Sequence, residues 1–373
     1  MTLSRSRLLV ALLSLLIVAS GCDLMGSSQS ATPTPSPVFP RPSGEATRRP
    51  RHTPRPEVSL DPSTSAQPTP RRTRKPRPLA SPSGEPSPTP VPTPKPTPMP
   101  PIPGFDQISG TDGRFTILLL GSDARGKVVG ERTDTIMVAT IDPGTGRVAM
   151  ASLPRDTVNV PIADGQVYAS PSRINGLLQS FEFNGATREQ ALNKVTKAME
   201  YAFGTEIDAY VVIGFNGVRD LVDEIGGVDV FMDRALWDPT MHVTKKGLKL
   251  KAGLDHLDGP LALAFARTRH TDSDYQRAGR QQQLIMAAMT KVLANGLESV
   301  PALAELAMKN VETDLPLSAL PVLVELATRA RLRNYKSIVL GPSTYAGDGP
   351  ELYTIEMKLD AVRAMFDRLF GPV

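Results

Sequence analysis

Residues 114–121 read RFTILLLG, residues 134–142 read DTIMVATID and residues 147–153 read RVAMASL. Each is an apolar, β-prone run of strand length rather than helix length. Asp142-Pro-Gly-Thr-Gly146 separates the second run from the third and carries turn chemistry. The pattern predicts antiparallel neighbours, with the third strand parallel to the first. Thr187 and Gln190 have the spacing of a capping box, so a helix is expected from there to Phe203, ended by Gly204. Further strands are expected at 207–213, 227–232 and 336–340. Further helices are expected at 217–225, 260–268, 276–294, 300–310, 318–331 and 358–369. Helices and strands that intermix in this way predict an α/β domain with a mixed sheet. No internal repeat is visible.

Outward from this core the composition changes. Of 36 prolines in 373 residues, 24 lie between residues 31 and 103. Proline removes a backbone donor and clashes in helices and central strands, so this stretch cannot join the fold. It is rich in Pro, Ser, Thr and Arg, with Phe39 its one aromatic, and cannot bury enough apolar surface to offset ordering entropy. A semi-stiff, polyproline-like tether is expected over 22–111. Residues 31–103 hold eleven basic and four acidic side chains. The chain's net charge of +4 therefore arises in the tether, and the folded part carries about −4. That excludes a nucleic-acid reading of the folded part. The basic run 71–77 fits either a solvated stalk or contact with anionic lipid or wall polymer.

The N-terminus reads MTLSRSRLLVALLSLLIVASGC. Arg5 and Arg7 precede an apolar run at 8–20, too short for a comfortable span of about 20 residues but suited to a signal peptide. Cys22, the one cysteine, follows Ala19-Ser20-Gly21. The segment resembles a bacterial lipobox, which implies cleavage after residue 21 and lipidation of Cys22. Every reading of this leader places the folded part outside the cytoplasmic membrane, at its extracytoplasmic face. A single cysteine rules out an intrachain disulfide, and no Cys/His spacing suits a structural zinc site.

Four segments place acids and arginines at strand ends: Gly121-Ser-Asp-Ala-Arg125, Arg132-Thr-Asp-Thr135, Leu153-Pro-Arg-Asp156, and residues 267–283, RTRHTDSDYQRAGRQQQ. If the first two strands pair, Asp123 and Asp134 share one sheet edge and Arg155 reaches the same edge. Adjacent carboxylates repel unless a cation lies between them, and Mg2+ favours few carboxylates plus phosphate oxygens. Arginine suits the phosphate oxygens, being planar, bidentate and always charged. Arg277, Arg280 and Gln281 share one helix face, with Arg267 and Arg269 just upstream. Up to six arginines (Arg125, Arg155, Arg267, Arg269, Arg277, Arg280) then surround a multiply charged anion, most simply a diphosphate. The plainer reading is surface ion pairing, with Asp272 and Asp274 on Arg269 and Arg277, or Asp134 on Arg132.

These motifs, with RINGL at 173–177, GGVDV at 226–230 and LALAFARTRHTDSDYQRAGRQQQ at 261–283, resemble the LytR-CpsA-Psr family of cell-wall proteins over about 113–297. The resemblance implies a three-layer α-β-α sandwich enclosing a hydrophobic lipid cavity. It implies a catalytic domain at 112–297, with 298–373 completing it. It also implies a Mg2+-dependent phosphotransferase that moves a polyprenyl-diphosphate-linked glycopolymer onto peptidoglycan. Asp123 and Asp134 would hold Mg2+, and Arg125, Arg155, Arg267, Arg269, Arg277 and Arg280 would bind phosphate. Gln281 is a weaker candidate there, and Asp156 and Asp274 would orient arginines. A monomer is expected. Two departures stand out. Family members usually carry an N-terminal transmembrane helix, and residues 176–186, GLLQSFEFNGA, lack the family's tyrosine and paired glycines.

Candidate lipid-lining residues are Leu177, Phe181, Val195, Met199, Phe203, Leu284, Ile285 and Met289, although apolar side chains at helical spacing are more often plain core. Trp237 is expected in a loop, anchoring the core or stacking on glycan. His256 reads as structural, whereas His270 lies in the arginine segment. Two other functions compete with the transferase: a lipid-diphosphate phosphatase, with water as acceptor, and a lipid-diphosphate binding protein or sensor without turnover.

Overall fold

A computed structural model describes residues 99–123, 131–163, 165–270, 273–296, 300–341, 344–350 and 353–370. Cys22, Arg125, Asp272 and the leader and tether up to residue 98 lie outside the described residues. The three opening runs form β1 (Phe115–Ser122), β2 (Thr133–Ile141) and β3 (Val148–Leu153). β1 pairs antiparallel with β2, from Phe115 opposite Ile141 to Ser122 opposite Thr133. β2 pairs antiparallel with β3, so β3 runs parallel to β1 as expected. The turn between β2 and β3 is tied by Asp142, whose Oδ1 accepts from the backbone of Gly144 and Thr145 at 2.8 and 3.1 Å. Gly146 closes it at φ 69°, where a Cβ would stand 2.1 Å from the Arg329 carbonyl oxygen.

β4 (Ala209–Ile213) adds parallel to β1. β5 (Val311–Thr313) pairs antiparallel with β4, and β6 (Lys336–Val339) pairs parallel with β3. The mixed sheet has the order β5-β4-β1-β2-β3-β6. Both edge strands therefore come from the segment after residue 298. That segment completes the sheet rather than appending to it.

Every residue of β1 is buried, because helices cover both faces of the sheet. On one face lie α1 (Leu177–Phe183), α2 (Arg188–Phe203) and, from the far end of the chain, a long-range partner at Leu359–Phe370. Their Leu178, Leu192, Met199 and Phe366 pack on Leu118, Leu120 and Val138. On the other face lie α3 (Phe215–Glu224), α4 (Gly259–Arg267), α5 (Asp274–Asn295), α6 (Val300–Asn310) and α7 (Leu320–Arg329). Their Leu221, Phe265, Ile285, Leu303 and Leu323 pack on Ile117, Leu119 and Met137. Alternate residues of β1 thus feed two cores, as strand geometry requires. Truncating a buried leucine such as Leu119 to Ala would cost about 2–5 kcal/mol.

Helix ends follow local chemistry. Thr187 and Gln190 do form a capping box on α2, and Gly204 ends it at φ 68°. Asp258 caps α4 and Ser273 caps α5.

Tertiary placement decides two points: it puts the lipid-lining candidates in the cores, their plainer reading, and it corrects the placement of Trp237. The eight candidate lipid-lining residues divide between the two cores: Leu177, Phe181, Val195, Met199 and Phe203 lie on one face of the sheet, and Leu284, Ile285 and Met289 on the other. A sheet separates them, so they line no common cavity. Trp237 lies in a short strand, Leu236–Asp238, rather than a loop, and its side chain is exposed rather than anchoring a core. Its neighbours Leu236 and Asp238 take the buried positions of that strand. No described helix is long and apolar enough to cross a membrane.

Candidate functional site

The site forms where β1, β2 and β3 end together. Gly121 pairs with Thr135 and Ser122 with Thr133, so Asp134 is the extra residue of a bulge. Bulges re-aim side chains at strand ends. Pairing with β3 stops at Ile136 opposite Leu153, two residues before Arg155. Arg155 Nη1 donates to Asp134 Oδ2 at 2.7 Å. Asn175 Nδ2 donates to the other oxygen, Oδ1, at 2.9 Å. Asp123 follows β1 and clasps Arg132: its backbone N donates to Arg132 O at 3.0 Å, and its Oδ1 accepts from Arg132 N at 2.7 Å. The clasp holds the end of β1 against the bulge that carries Asp134.

The fourth segment arrives from the α4–α5 connection. Asp274, the first residue of α5, sets its Oδ1 2.9 Å from Arg277, 3.5 Å from Arg269 and 3.9 Å from Arg155. Arg277 Nη2 also donates to the Asp134 carbonyl at 3.1 Å. Asp134, Arg155, Arg269, Asp274 and Arg277, distant in sequence, thus form one cluster. Asp156 joins through Arg155 at 3.7 Å and pairs with Arg173 at 2.7 Å. The expected ion pairs of Asp274 with Arg269 and Arg277 are present; Arg277 is buried in the cluster, and Arg269 closes it from the exposed side.

The cluster is not internally satisfied. Nε of Arg155 and Nε of Arg277 are buried with no hydrogen-bond partner among the described residues. Asp274 Oδ1 lies within ion-pair distance of three arginines, yet no N–H points squarely at it. Unmatched buried donors cost about 1–3 kcal/mol each. An oxygen-rich anion would relieve them. Burial lowers the pKa of Arg277, overriding the carboxylates beside it. For Arg155 burial also acts downward, but Asp134, Asp156 and Asp274 together more than offset it and hold it above its ordinary value. Arg155 therefore stays charged beside any ligand.

Other sequence candidates go elsewhere. Arg280 is buried, donates from Nε to the Phe265 carbonyl at 2.9 Å and from Nη2 to the Thr268 carbonyl. Gln281 Nε2 donates to the Ala266 carbonyl at 3.1 Å. Both satisfy carbonyls orphaned at the end of α4. Their effect on the cluster is to fix the course of Thr268 and Arg269. The Arg267 guanidinium lies 4.7 Å from the centre of the Phe215 ring. His270 meets Trp237 edge-on at 6.3 Å, and His256 pairs with Asp229 at 2.7 Å. Of the named site residues, Asp134, Arg155, Arg269 and Arg277 converge, Asp123 borders them, and Arg267, Arg280 and Gln281 bear on α3 and α4.

Asn175 is a site residue that sequence reading left without a role. RINGL was visible as a motif, but a carboxamide has no place in a charge pattern. Gln282, beside Gln281, bridges layers instead: its Nε2 donates to Ser152 Oγ at 2.8 Å and to the Ile338 carbonyl at 2.9 Å. Beside the cluster opens a cleft of about 520 Å3, lined by Arg132, Arg155 and Asp156 and by residues between 168 and 184 that include Asn175.

No group of three or more His, Cys, Asp or Glu side chains suited to a metal exists among the described residues. Asp123 and Asp134 lie at one sheet end, with both oxygens of Asp134 already accepting from Arg155 and Asn175 and one oxygen of Asp123 from Arg132, so a cation there would share these carboxylates. That donor set fits Mg2+ when a phosphorylated ligand supplies further oxygens.

The family model of LytR-CpsA-Psr proteins matches residues 96–357. The chain belongs to the LytR-CpsA-Psr family. The match takes in both edge strands of the sheet. Among curated relatives, this LytR-CpsA-Psr chain is 32% identical over 205 residues to the polyisoprenyl-teichoic acid–peptidoglycan teichoic acid transferase TagV of Bacillus subtilis (strain 168), covering 54% of this chain and 50% of the relative. It is 32% identical over 203 residues to TagU of Bacillus mycoides (strain KBAB4), of the same description, covering 54% and 60%. The chain thus spans about half the length of the curated relatives it matches. Among solved structures, it is similar to the crystal structure of B. subtilis TagV, at 25% identity and TM-score 0.53, over 71% of this chain and 100% of that one. The fold is also that of TagT bound to LIIa-WTA, at 24% identity and TM-score 0.53, over 70% and 92%.

Proposed function

We propose that this LytR-CpsA-Psr protein is a phosphotransferase that moves a glycopolymer from a polyprenyl-diphosphate carrier to peptidoglycan. The observation that carries the reading is the pair of buried, unmatched Nε donors of Arg155 and Arg277, set among carboxylates that hold both guanidiniums in place. The curated relatives are described as transferases of teichoic acid from a polyisoprenyl carrier to peptidoglycan, which supports the same substrates here.

In this reading the diphosphate lies against Arg155, Arg269 and Arg277, and Arg125, outside the described residues, is a further phosphate-binding candidate by its place in the GSDAR motif. Asp123 and Asp134 would hold Mg2+, which would neutralise charge on the phosphate oxygens. An acceptor hydroxyl on peptidoglycan attacks the phosphorus next to the sugar. A new phosphorus–oxygen bond forms, the bond to the lipid phosphate breaks, and polyprenyl phosphate leaves as the acceptor loses its proton. Arg155, held at 2.7 Å by Asp134, meets the developing charge with little reorganisation. Arg280 and Gln281 act as positioning residues by holding the α4 end from which Arg269 projects. The carrier's apolar chain occupies a lipid cavity between the sheet and its helices. Lipidation of Cys22 tethers the domain, as a monomer, to the extracytoplasmic face of the membrane.

The test is release of polyprenyl phosphate by the purified full chain from a lipid-linked polymer, with and without peptidoglycan. Transfer predicts release that needs the acceptor and Mg2+. Equal release without acceptor would make it a phosphatase. Binding without turnover, unaltered in Asp123→Ala and Asp134→Ala, would make it a sensor. Fractionation of cells carrying Cys22→Ser tests the anchor: the protein should move from the membrane to the soluble secreted fraction.

A further inference from the structure

The cleft beside Arg155 has a wall chemistry that the phosphate cluster does not use. Its volume, about 520 Å3, falls within the roughly 300–1,000 Å3 of small-molecule sites. Its rim carries Tyr168, Ser172, Gln179, Phe183 and Asn184. These are hydroxyls and carboxamides, able both to donate and to accept, together with two aromatic rings. Phe183 is 63% exposed at the end of α1, an apolar ring that the fold itself leaves uncovered.

The floor is fixed. Arg173 pairs with Asp156 at 2.7 Å, and Asn175 is held by Asp134 at 2.9 Å. Gly176 brings the backbone close to Tyr168, whose Oη would stand 3.4 Å from an added Cβ. Of the three arginines that converge on Asp274, Arg155 alone also lines the cleft. Arg155 therefore borders both the phosphate cluster and the cleft.

Wall chemistry selects the occupant. An acyl chain would leave the carboxamides and hydroxyls desolvated and unmatched. The donor's diphosphate is placed at Arg155 itself, and the carboxylate of Asp156 with the uncharged hydroxyls and carboxamides of the lining does not suit a second polyanion beyond it. A pyranose chain matches both features: its C–H face covers an aromatic ring, and its equatorial hydroxyls meet amides. We propose that this cleft is a glycan subsite that seats the sugar chain of the acceptor and leads one hydroxyl to the phosphorus held at Arg155. The assignment rests on the phosphotransferase reading.

The experiment measures initial transfer rates of the full chain against uncrosslinked peptidoglycan glycan strands at fixed donor, and against donor at fixed glycan. Phe183→Ala raises the glycan KM about three- to tenfold, the loss expected for one aromatic contact. Phe183→Trp restores it. Gln179→Ala shifts the same constant in the same direction. Because Phe183 is exposed, the melting temperature of Phe183→Ala should match the wild type, which separates lost binding from lost folding. An unmoved glycan KM in both alanine variants overturns the proposal. A shift confined to the donor KM overturns it as well, and hands the cleft to the donor's own polymer. If the wild type transfers nothing, the phosphotransferase reading fails by itself. Calorimetric titration of the same glycan strands into wild type and Phe183→Ala then still decides the cleft: weaker binding in the variant supports it, and equal or absent binding overturns it.

Discussion

Two arginine–carboxylate clusters in this molecule look alike in sequence and differ in satisfaction. At Arg188, the first residue of α2, three glutamates close on one guanidinium: Glu131 at 2.9 Å, Glu182 at 3.1 Å and Glu312 at 3.0 Å. Burial works against that charge, but the hydrogen bonds that Arg188 donates to Glu312 and the field of Glu131 hold it well above its ordinary value. The cluster staples α2 to α1, to β5 and to the start of β2. At the sheet end, Arg155 and Arg277 have carboxylate neighbours just as close, yet each keeps a buried Nε unmatched. The difference teaches how to separate a structural ion cluster from a ligand site. The staple uses its donors within the fold, whereas the sheet-end cluster leaves two Nε groups without a hydrogen bond at a cost of about 1–3 kcal/mol each. Arg363 Nε, outside both clusters, is unmatched as well, so it is the pairing of two such donors among carboxylates that marks the site.

Breaking the comparison at the site should have the largest effect. Arg155→Ala is expected to lower transfer by about 10²–10³-fold, the usual loss on removing a preorganised charge donor. Circular dichroism should show an intact fold, and a wild-type rate would remove the diphosphate from this cluster. Chelation should come next. Removing Mg2+ with EDTA is expected to stop transfer reversibly, and Asp134→Asn should need more Mg2+ to reach half its maximal rate than wild type. A rate indifferent to EDTA would release Asp123 and Asp134 from their metal role.

The staple should respond in the opposite currency. Arg188→Ala is expected to lower stability by about 1 kcal/mol, a melting shift of about 2–4 °C for a domain of this size. Its activity per folded molecule should stay within about twofold. A large rate loss without a melting shift would mean that the two clusters are not different in kind.

The smallest effect concerns Asp208, before β4. Burial pushes its pKa up to about 6, against the backbone N–H groups of Thr116 and Gly110 that favour its charge. A carboxyl raised by folding favours the neutral form in the fold. Its stabilising contribution is full below its unfolded value and is lost as pH rises through about 6. Melting curves at pH 5 and pH 7 should therefore show wild type gaining on Asp208→Asn as pH falls. A gap that does not change with pH would contradict the shift.

Much of the sheet was legible because its signals are local. The runs that became β1, β2 and β3 have strand composition, Asp142 and Gly146 carry their turn, and Thr187 with Gln190 marks the start of α2. The charged segments were legible as candidates because acids and arginines at strand ends are conspicuous. What the cluster does with each of them was not. Arg277 and Arg280 lie three residues apart on one helix. One faces Asp134 and the other grips the end of α4, a distinction set by which element packs over each residue. Asn175 was missed because an amide carries no charge to notice. Trp237 was misplaced because alternation within three residues is too short to read.

By itself, the order of residues determined that 114–121, 134–142 and 147–153 are strands and that Asp123, Asp134 and Arg155 would emerge at one end of them. Strand length, alternation and turn chemistry act over a few residues, so they survive in a linear text. Only the tertiary structure decided that residues after 298 supply both edges of the sheet, that Arg280 closes a helix end, and that Arg155 and Arg277 keep unmatched donors. Those outcomes depend on which groups, far apart in the chain, exclude water from one another, and no local pattern encodes that.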